Sequence, residues 1–196
     1  MLLKICGITR VEDMAAVGRA GADYAGIILV PRSPRFVPRD RIAVLMAAAP
    51  NAKKVFVVRD LPLDELNALI AEYHPHAVQL HGSESADYAR GVTGAEVWKA
   101  FNLNSETVLA EAEAFPCATV VADSGGGTGR PCDWTLAARL AAVRPILLAG
   151  GVTPDNVREA IGRVNPAGID VSGGVESAPG IKDGKLIQLL AERIHS

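Results

Sequence analysis

Apolar residues gather along the chain in eight short runs: Leu2–Cys6, Tyr24–Val30, Lys54–Val58, Ala77–Leu80, Val97–Phe101, Thr119–Ala122, Ile146–Ala149 and Gly168–Val171. Most are nearly continuous rather than alternating, the pattern of parallel strands covered by helices on one face and packed on the other. The longer stretches between them carry helix signals. Thr9-Arg10-Val11-Glu12 has the form of a capping box, Met14, Val17 and Ala20 follow as an apolar stripe, and Gly21 is a stop. Thr153 followed by Pro154 predicts a cap with proline at the first helical position, and Val157, Ile161 and Val164 carry that helix's buried face. A last helix is expected from about Asp183, with Leu186, Leu189, Leu190 and Ile194 on one side.

Eight strand-then-helix units in 196 residues leave about 25 residues for each, compact but sufficient for a closed barrel. The expected fold is therefore α/β, a single-domain (β/α)8 TIM barrel spanning residues 1–196. An open doubly wound sheet is the competing arrangement. The Gly-x-Gly-x-x-Gly turn that would follow its first strand is absent, and Cys6-Gly7-Ile8-Thr9 stands in its place.

Composition narrows the partners. The formal net charge is −2 and the Lys and Arg residues are scattered, so the basic stripe needed for nucleic acid or an anionic membrane is missing. The cysteines, Cys6, Cys117 and Cys132, are odd in number and lack metal-ligand spacing, and the four histidines form no cluster with them. Neither a disulfide framework nor a metal site is indicated. The short apolar segments and the absence of a signal-peptide pattern point to a cytoplasmic protein. No exposed apolar helix face stands out, and a monomer is expected.

In a barrel of this kind the chemistry lies where each strand ends. Strand one ends at Cys6, strand two leads into Arg32-Ser33-Pro34-Arg35-Phe36, strand four into His81-Gly82, and strand six ends at Asp123. Strands seven and eight end in Gly150-Gly151 and Ser172-Gly173-Gly174, loops whose backbone N–H groups suit a phosphate. Taken singly these residues also have plainer readings: the glycines as tight turns, Cys6 as a small buried hydrophobe, Asp123 as a cap or turn residue and Arg35 as a solvated surface charge. Taken together, Cys6 and Asp123 face each other across a barrel interior, an arrangement suited to a base and an acid on opposite sides of a ligand. Lys4, two residues before Cys6, shares its strand face and is expected to point inward and pair with Asp170. Arg35 suits a substrate carboxylate. The loop Ser124-Gly125-Gly126-Gly127-Thr128-Gly129-Arg130 resembles a lid beside the acid.

Several motifs then occur in a fixed order: Lys4-Ile5-Cys6-Gly7-Ile8-Thr9, Ser33-Pro34-Arg35-Phe36-Val37, Val78-Gln79-Leu80-His81-Gly82, Asp123 with the glycine loop and Asp133-Trp134, Leu148-Ala149-Gly150-Gly151-Val152, and Asp170 through Glu176. With these the chain resembles the phosphoribosylanthranilate isomerases, barrel enzymes of tryptophan biosynthesis, over nearly its whole length. The resemblance implies an Amadori rearrangement of N-(5'-phosphoribosyl)anthranilate to 1-(2-carboxyphenylamino)-1-deoxyribulose 5-phosphate, a small phosphorylated substrate handled without metal or cofactor. It implies that Asp123 is the general acid and Cys6 the general base. It further implies that Arg35 recognises the anthranilate carboxylate, that His81 lines the pocket, and that Gly150, Gly151, Ser172 and Gly173 hold the phosphate. Two positions depart from the family pattern. Gly173 stands where a second serine is usual, and Arg59-Asp60 stands where small polar residues are common. The rival readings are a histidine-pathway or bifunctional aminoaldose-phosphate isomerase, which predicts aspartate at the end of strand one, and a sugar-phosphate-binding barrel without turnover.

Overall fold

The structure, a computed structural model, describes residues 1–124 and 132–195. Eight parallel strands close in sequence order into a barrel. They are β1 (Leu2–Ile5), β2 (Tyr24–Ile28), β3 (Lys53–Val58), β4 (Ala77–Leu80), β5 (Glu96–Asn102), β6 (Thr119–Asp123), β7 (Ile146–Leu148) and β8 (Gly168–Val171). Helices α1 (Val11–Arg19), α2 (Arg39–Ala47), α3 (Leu63–Tyr73), α4 (Ala86–Arg90), α5 (Glu106–Ala114), α6 (Trp134–Ala141), α7 (Val157–Val164) and α8 (Gly184–His195) follow the strands in turn. Between β8 and α8 the chain makes one 3-10 turn (Gly173–Val175) and a small antiparallel ribbon of β9 (Glu176–Ala178) and β10 (Ile181–Lys182). The open-sheet alternative is thereby excluded.

The continuous apolar runs have a simple cause: both faces of each strand are buried. Leu3, Ile5, Ile27, Phe56, Val58, Val78, Leu80, Ile146 and Ile169 point outward into the layer beneath the helices. The alternate positions Tyr24, Val55, Ala77, Trp98, Val121 and Leu147 fill the barrel interior, where the Trp98 ring meets Tyr24 edge-on at 4.9 Å. This plug floors the barrel and leaves the C-terminal ends of the strands for chemistry.

The closing seam between β1 and β8 carries a charged pair instead of apolar side chains. Lys4 and Asp170 are register partners, and Lys4 Nζ donates to Asp170 Oδ2 at 2.7 Å with the lysine fully buried. Burial acts to lower the ammonium's pKa, but the Asp170 carboxylate and the Cys6 sulfur outweigh it and leave Lys4 raised, a charged lysine inside the barrel.

Three helix expectations are corrected. Thr9 is not the cap of α1: its Oγ1 donates to Gly180 O at 2.6 Å, and the helix begins at Val11 with no side-chain cap. The threonine fastens the β9–β10 ribbon to the barrel instead, helped by Asp13, whose Oδ2 accepts from Lys182 N. In the segment after β7, residues 154–156 form a turn and α7 starts only at Val157, because Asn156 folds back to accept from Thr153 N and donate to Gly151 O. On α8 the buried face centres on Ile187, Leu190 and Ala191, with Leu186, Leu189 and Ile194 only partly covered. Asp183 does cap this helix, accepting from Lys185 N and Leu186 N.

Lys4→Ala strands the Asp170 carboxylate at the seam and is expected to lower unfolding stability by about 3–5 kcal/mol. The double change Lys4→Met with Asp170→Leu, which removes both charges, is expected to recover most of it. Chemical denaturation of the two variants checks this, and a single variant as stable as the parent contradicts it.

Candidate active site

At the C-terminal mouth of the barrel lies a cavity of about 570 Å³ whose wall includes Cys6, Arg35, His81 and Asp123. Gly150 and Gly151 after β7 and Ser172 and Gly173 after β8 line it as well. Every site residue expected from the sequence therefore opens onto one space. The lid expected over residues 124–130 falls, from 125 onward, outside the described residues.

Cys6 extends the β1 ladder, its N–H donating to Val171 O at 2.8 Å. A neighbour on the adjacent strand makes room for the thiol: a Cβ on Gly26 of β2 would sit 2.7 Å from Cys6 Sγ, so any side chain there would displace it. Burial pushes the thiol's pKa up and outweighs the downward pull of the Lys4 ammonium; Asp170 adds to the rise and Lys182 opposes it. Burial thus favours the protonated thiol over the thiolate that neighbouring cations alone would favour.

Asp123 ends β6, and its side chain is almost buried. Oδ1 accepts from Ser124 N at 2.7 Å, and Oδ2 lies 3.3 Å from His81 Nε2. His81 follows β4, and its Nδ1 is 3.3 Å from the Gln79 amide nitrogen. The main chain around His81 is held from β3 and β5. Arg59 Nε donates to His81 O, Asp60 Oδ1 accepts from Ser83 N, and Glu84 accepts from Asp60 N, Gly82 N and Lys99 Nζ. The departure at Arg59-Asp60 is explained by this clamp: both residues hold the loop that carries His81.

Arg35 crosses over Gly7, whose φ of +76° and lack of a side chain let the arginine stem pass; a Cβ there would lie 2.5 Å from Arg35 Cδ. Its guanidinium forks onto Glu176, Nε to Oε1 and Nη2 to Oε2, both at 2.7 Å. Lys182 Nζ reaches the same Oε1 at 2.7 Å and touches Ser172 O and Oγ. Burial alone would raise the Glu176 carboxyl; Arg35 and Lys182 together hold it below its usual range. The buried Lys182 ammonium is itself lowered by desolvation. Sequence reasoning missed Glu176, Lys182 and Gln79 as site groups. Glu176 and Gln79 lay within the quoted motifs, whereas nothing local marks Lys182, which the ribbon folds back from the far side of Gly180.

The two glycine loops meet at Gly174, where a Cβ would approach Val152 O to 2.0 Å, so only glycine permits this backbone contact. A Cβ on Gly173 would meet nothing nearer than Arg35 Nη2 at 3.5 Å. Serine fits at that position. Among the described residues, no group of three or more His, Cys, Asp or Glu side chains is arranged to hold a metal ion, and no helix is long and apolar enough to cross a membrane.

Comparison with known proteins gives one consistent result. A family model described as N-(5'phosphoribosyl)anthranilate (PRA) isomerase matches residues 3–193. The N-(5'-phosphoribosyl)anthranilate isomerase of Geotalea uraniireducens is 42% identical over 189 residues, covering 92% of each chain. The crystal structure of phosphoribosyl anthranilate isomerase from Thermus thermophilus superposes with a TM-score of 0.92 at 33% identity, covering 100% of this chain and 98% of the other. A phosphoribosyl anthranilate isomerase in complex with reduced 1-(o-carboxyphenylamino)-1-deoxyribulose 5-phosphate superposes with a TM-score of 0.90 at 29% identity, covering 100% and 98%.

The surroundings of Cys6 predict its reactivity. With Cys117 and Cys132 replaced by alanine, the rate of Cys6 alkylation should rise with pH with a midpoint above the ordinary thiol value of about 8.5. A midpoint below that value would mean that the two lysines, not burial, control the thiol.

Proposed function

The chain belongs to the N-(5'-phosphoribosyl)anthranilate isomerase family, and from that premise we propose how its own side chains carry the reaction. The protein isomerises N-(5'-phosphoribosyl)anthranilate, a step of tryptophan biosynthesis, by an Amadori rearrangement. The observation that carries the assignment of roles is that Cys6 on the β1 side and Asp123 on the β6 side open onto one cavity, with the glycine loops of β7 and β8 beside them.

The substrate's phosphate sits against the backbone N–H groups of Gly150, Gly151 and Gly173 and the Ser172 hydroxyl. Asp123 gives its proton to the furanose ring oxygen, and the ring opens to a protonated Schiff base. Ser124, which follows Asp123, abuts the β7 cradle: a Cβ on Gly150 would lie 2.7 Å from Ser124 Oγ. A bound phosphate dianion there raises the proton affinity of the nearby carboxylate and favours its acid form when substrate is present. Cys6 first releases its thiol proton to water, and the thiolate then removes the proton from C2', leaving an enolamine that tautomerises to the ketose. A thiol of raised pKa suits this order of events. The Schiff base formed by ring opening is a cation beside the sulfur, so the thiolate is stabilised at the step that needs it.

Arg35 takes the anthranilate carboxylate with the donors that Glu176 leaves over. A guanidinium has five N–H groups and the fork onto Glu176 uses two, so three remain for the ligand. Glu176 and Lys182 keep that guanidinium aimed. The same reading takes residues 1–196 as one domain working as a cytoplasmic monomer. It is supported by three free thiols and by exposed apolar side chains that belong to different elements, such as Val44 on α2 and Ile181 on β10.

Asp123→Asn should keep the fold and lose about 10²–10⁴ in kcat, the scale of general acid–base loss, followed as the decay of anthranilate-type fluorescence from freshly made substrate. A kcat close to that of the parent would remove Asp123 from the mechanism. Gly173→Ser restores a hydroxyl beside the phosphate and should lower KM by about 2–10-fold, the equivalent of one net hydrogen bond. A raised KM would place the phosphate elsewhere.

A further inference from the structure

His81 has one ring nitrogen facing the acid and the other facing an amide, and the two contacts are coupled. Nε2 lies 3.3 Å from Asp123 Oδ2, and Nδ1 lies 3.3 Å from Gln79 Nε2. A neutral imidazole carries one proton. With the proton on Nε2 the ring donates to Asp123, Nδ1 is a bare acceptor, and the amide NH2 of Gln79 is the partner it requires. Turning the Gln79 amide over would present its oxygen to Nδ1, draw the proton there, and leave Nε2 as a lone pair against the carboxylate.

A second observation bears on which way the amide is turned. Gln79 is almost fully buried at the end of β4, and its Oε1 has no hydrogen-bond partner among the described residues. A buried acceptor left unpaired destabilises the fold. Flipping the amide would pair the oxygen with the ring but strand the NH2 group in its place, and it would put the ring proton on the wrong nitrogen for Asp123. The unpaired oxygen is therefore what keeping a donor on Gln79's inner face entails.

We propose that Gln79 is a positioning residue that holds the His81 proton on Nε2, so that the imidazole donates to Asp123. The donor stabilises the carboxylate that forms as Asp123 gives up its proton, and so strengthens the acid at the moment of transfer. This rests on the reading of Asp123 as the general acid. Among the described residues, the other charged and titratable groups around the pair include Arg59, bonded to the His81 carbonyl; Glu84 and Lys99, bonded about Gly82; and Cys132, which feels the Asp123 charge. None of these reaches Nδ1 among the described residues, which leaves Gln79 as the group that sets the proton.

The test is nitrogen NMR of the His81 ring in the parent enzyme, paired with kinetics of two variants. The parent should show Nδ1 unprotonated and Nε2 protonated near neutral pH. Gln79→Glu, an acceptor only, should protonate Nδ1 and reduce kcat by about tenfold or more, while KM stays within about twofold. Gln79→Met, with neither donor nor acceptor, should give a smaller loss and move the alkaline limb of the kcat profile to higher pH, because Asp123 then holds its proton more tightly. A protonated Nδ1 in the parent overturns the proposal, even if neither variant folds. So does Gln79→Glu with Nδ1 still bare and kcat unchanged. Asp123→Asn separates this from the underlying assignment: an active Asp123→Asn enzyme defeats the acid reading whatever the ring's tautomer.

Discussion

The barrel closes on a buried ion pair, and the active site is built on top of it. Lys4 and Asp170 meet at 2.7 Å across the seam where the first and last strands join. Two residues further along the same strand face stands Cys6, whose sulfur senses both charges. An apolar pair would close the barrel as well, and in comparable cases better. The charges here are register partners across the seam and place a cation and an anion beneath the thiol, so that structure and chemistry draw on the same two side chains.

The remaining charges are arranged by the same logic of partial engagement. Glu176 is held ionised between Arg35 and Lys182, and the arginine it orients still has donors to offer a carboxylate. The ribbon carrying Glu176 and Lys182 is itself tied down by Thr9 and Asp13 at the start of the chain. On the far side, Arg59, Asp60, Glu84 and Lys99 lock the loop of His81, which in turn faces Asp123. Acid and base are thus each supported by groups that touch no reacting atom on this account, and the cavity between them is left to the substrate.

The strands were legible in the sequence because every one is buried on both faces, which writes burial directly into composition as continuous apolar runs. The strand ends were legible for the same reason: Cys6 and Asp123 interrupt those runs where the barrel opens. Local helix grammar was less reliable. Thr9 satisfies the capping-box pattern but donates to Gly180, a partner 171 residues away, and Asn156 spends its amide on the turn after β7. Such competing bonds, one distant and one local, outcompete a cap of about 1 kcal/mol. Gly26 reads as a neutral strand residue until the Cys6 sulfur is placed against it. The roles of Gln79 and Lys182 depend on partners brought near only by barrel closure and by the β9–β10 ribbon, and no spacing rule records them.

The division of labour between Asp123 and Cys6 is tested most directly by the isotope effect with substrate deuterated at C2'. If Asp123 opens the ring and Cys6 removes the C2' proton, Cys6→Ser makes proton abstraction limiting and should show a clear primary effect. Asp123→Asn makes ring opening limiting and should show none. A primary effect in Asp123→Asn together with none in Cys6→Ser would contradict the assignment and exchange the two roles.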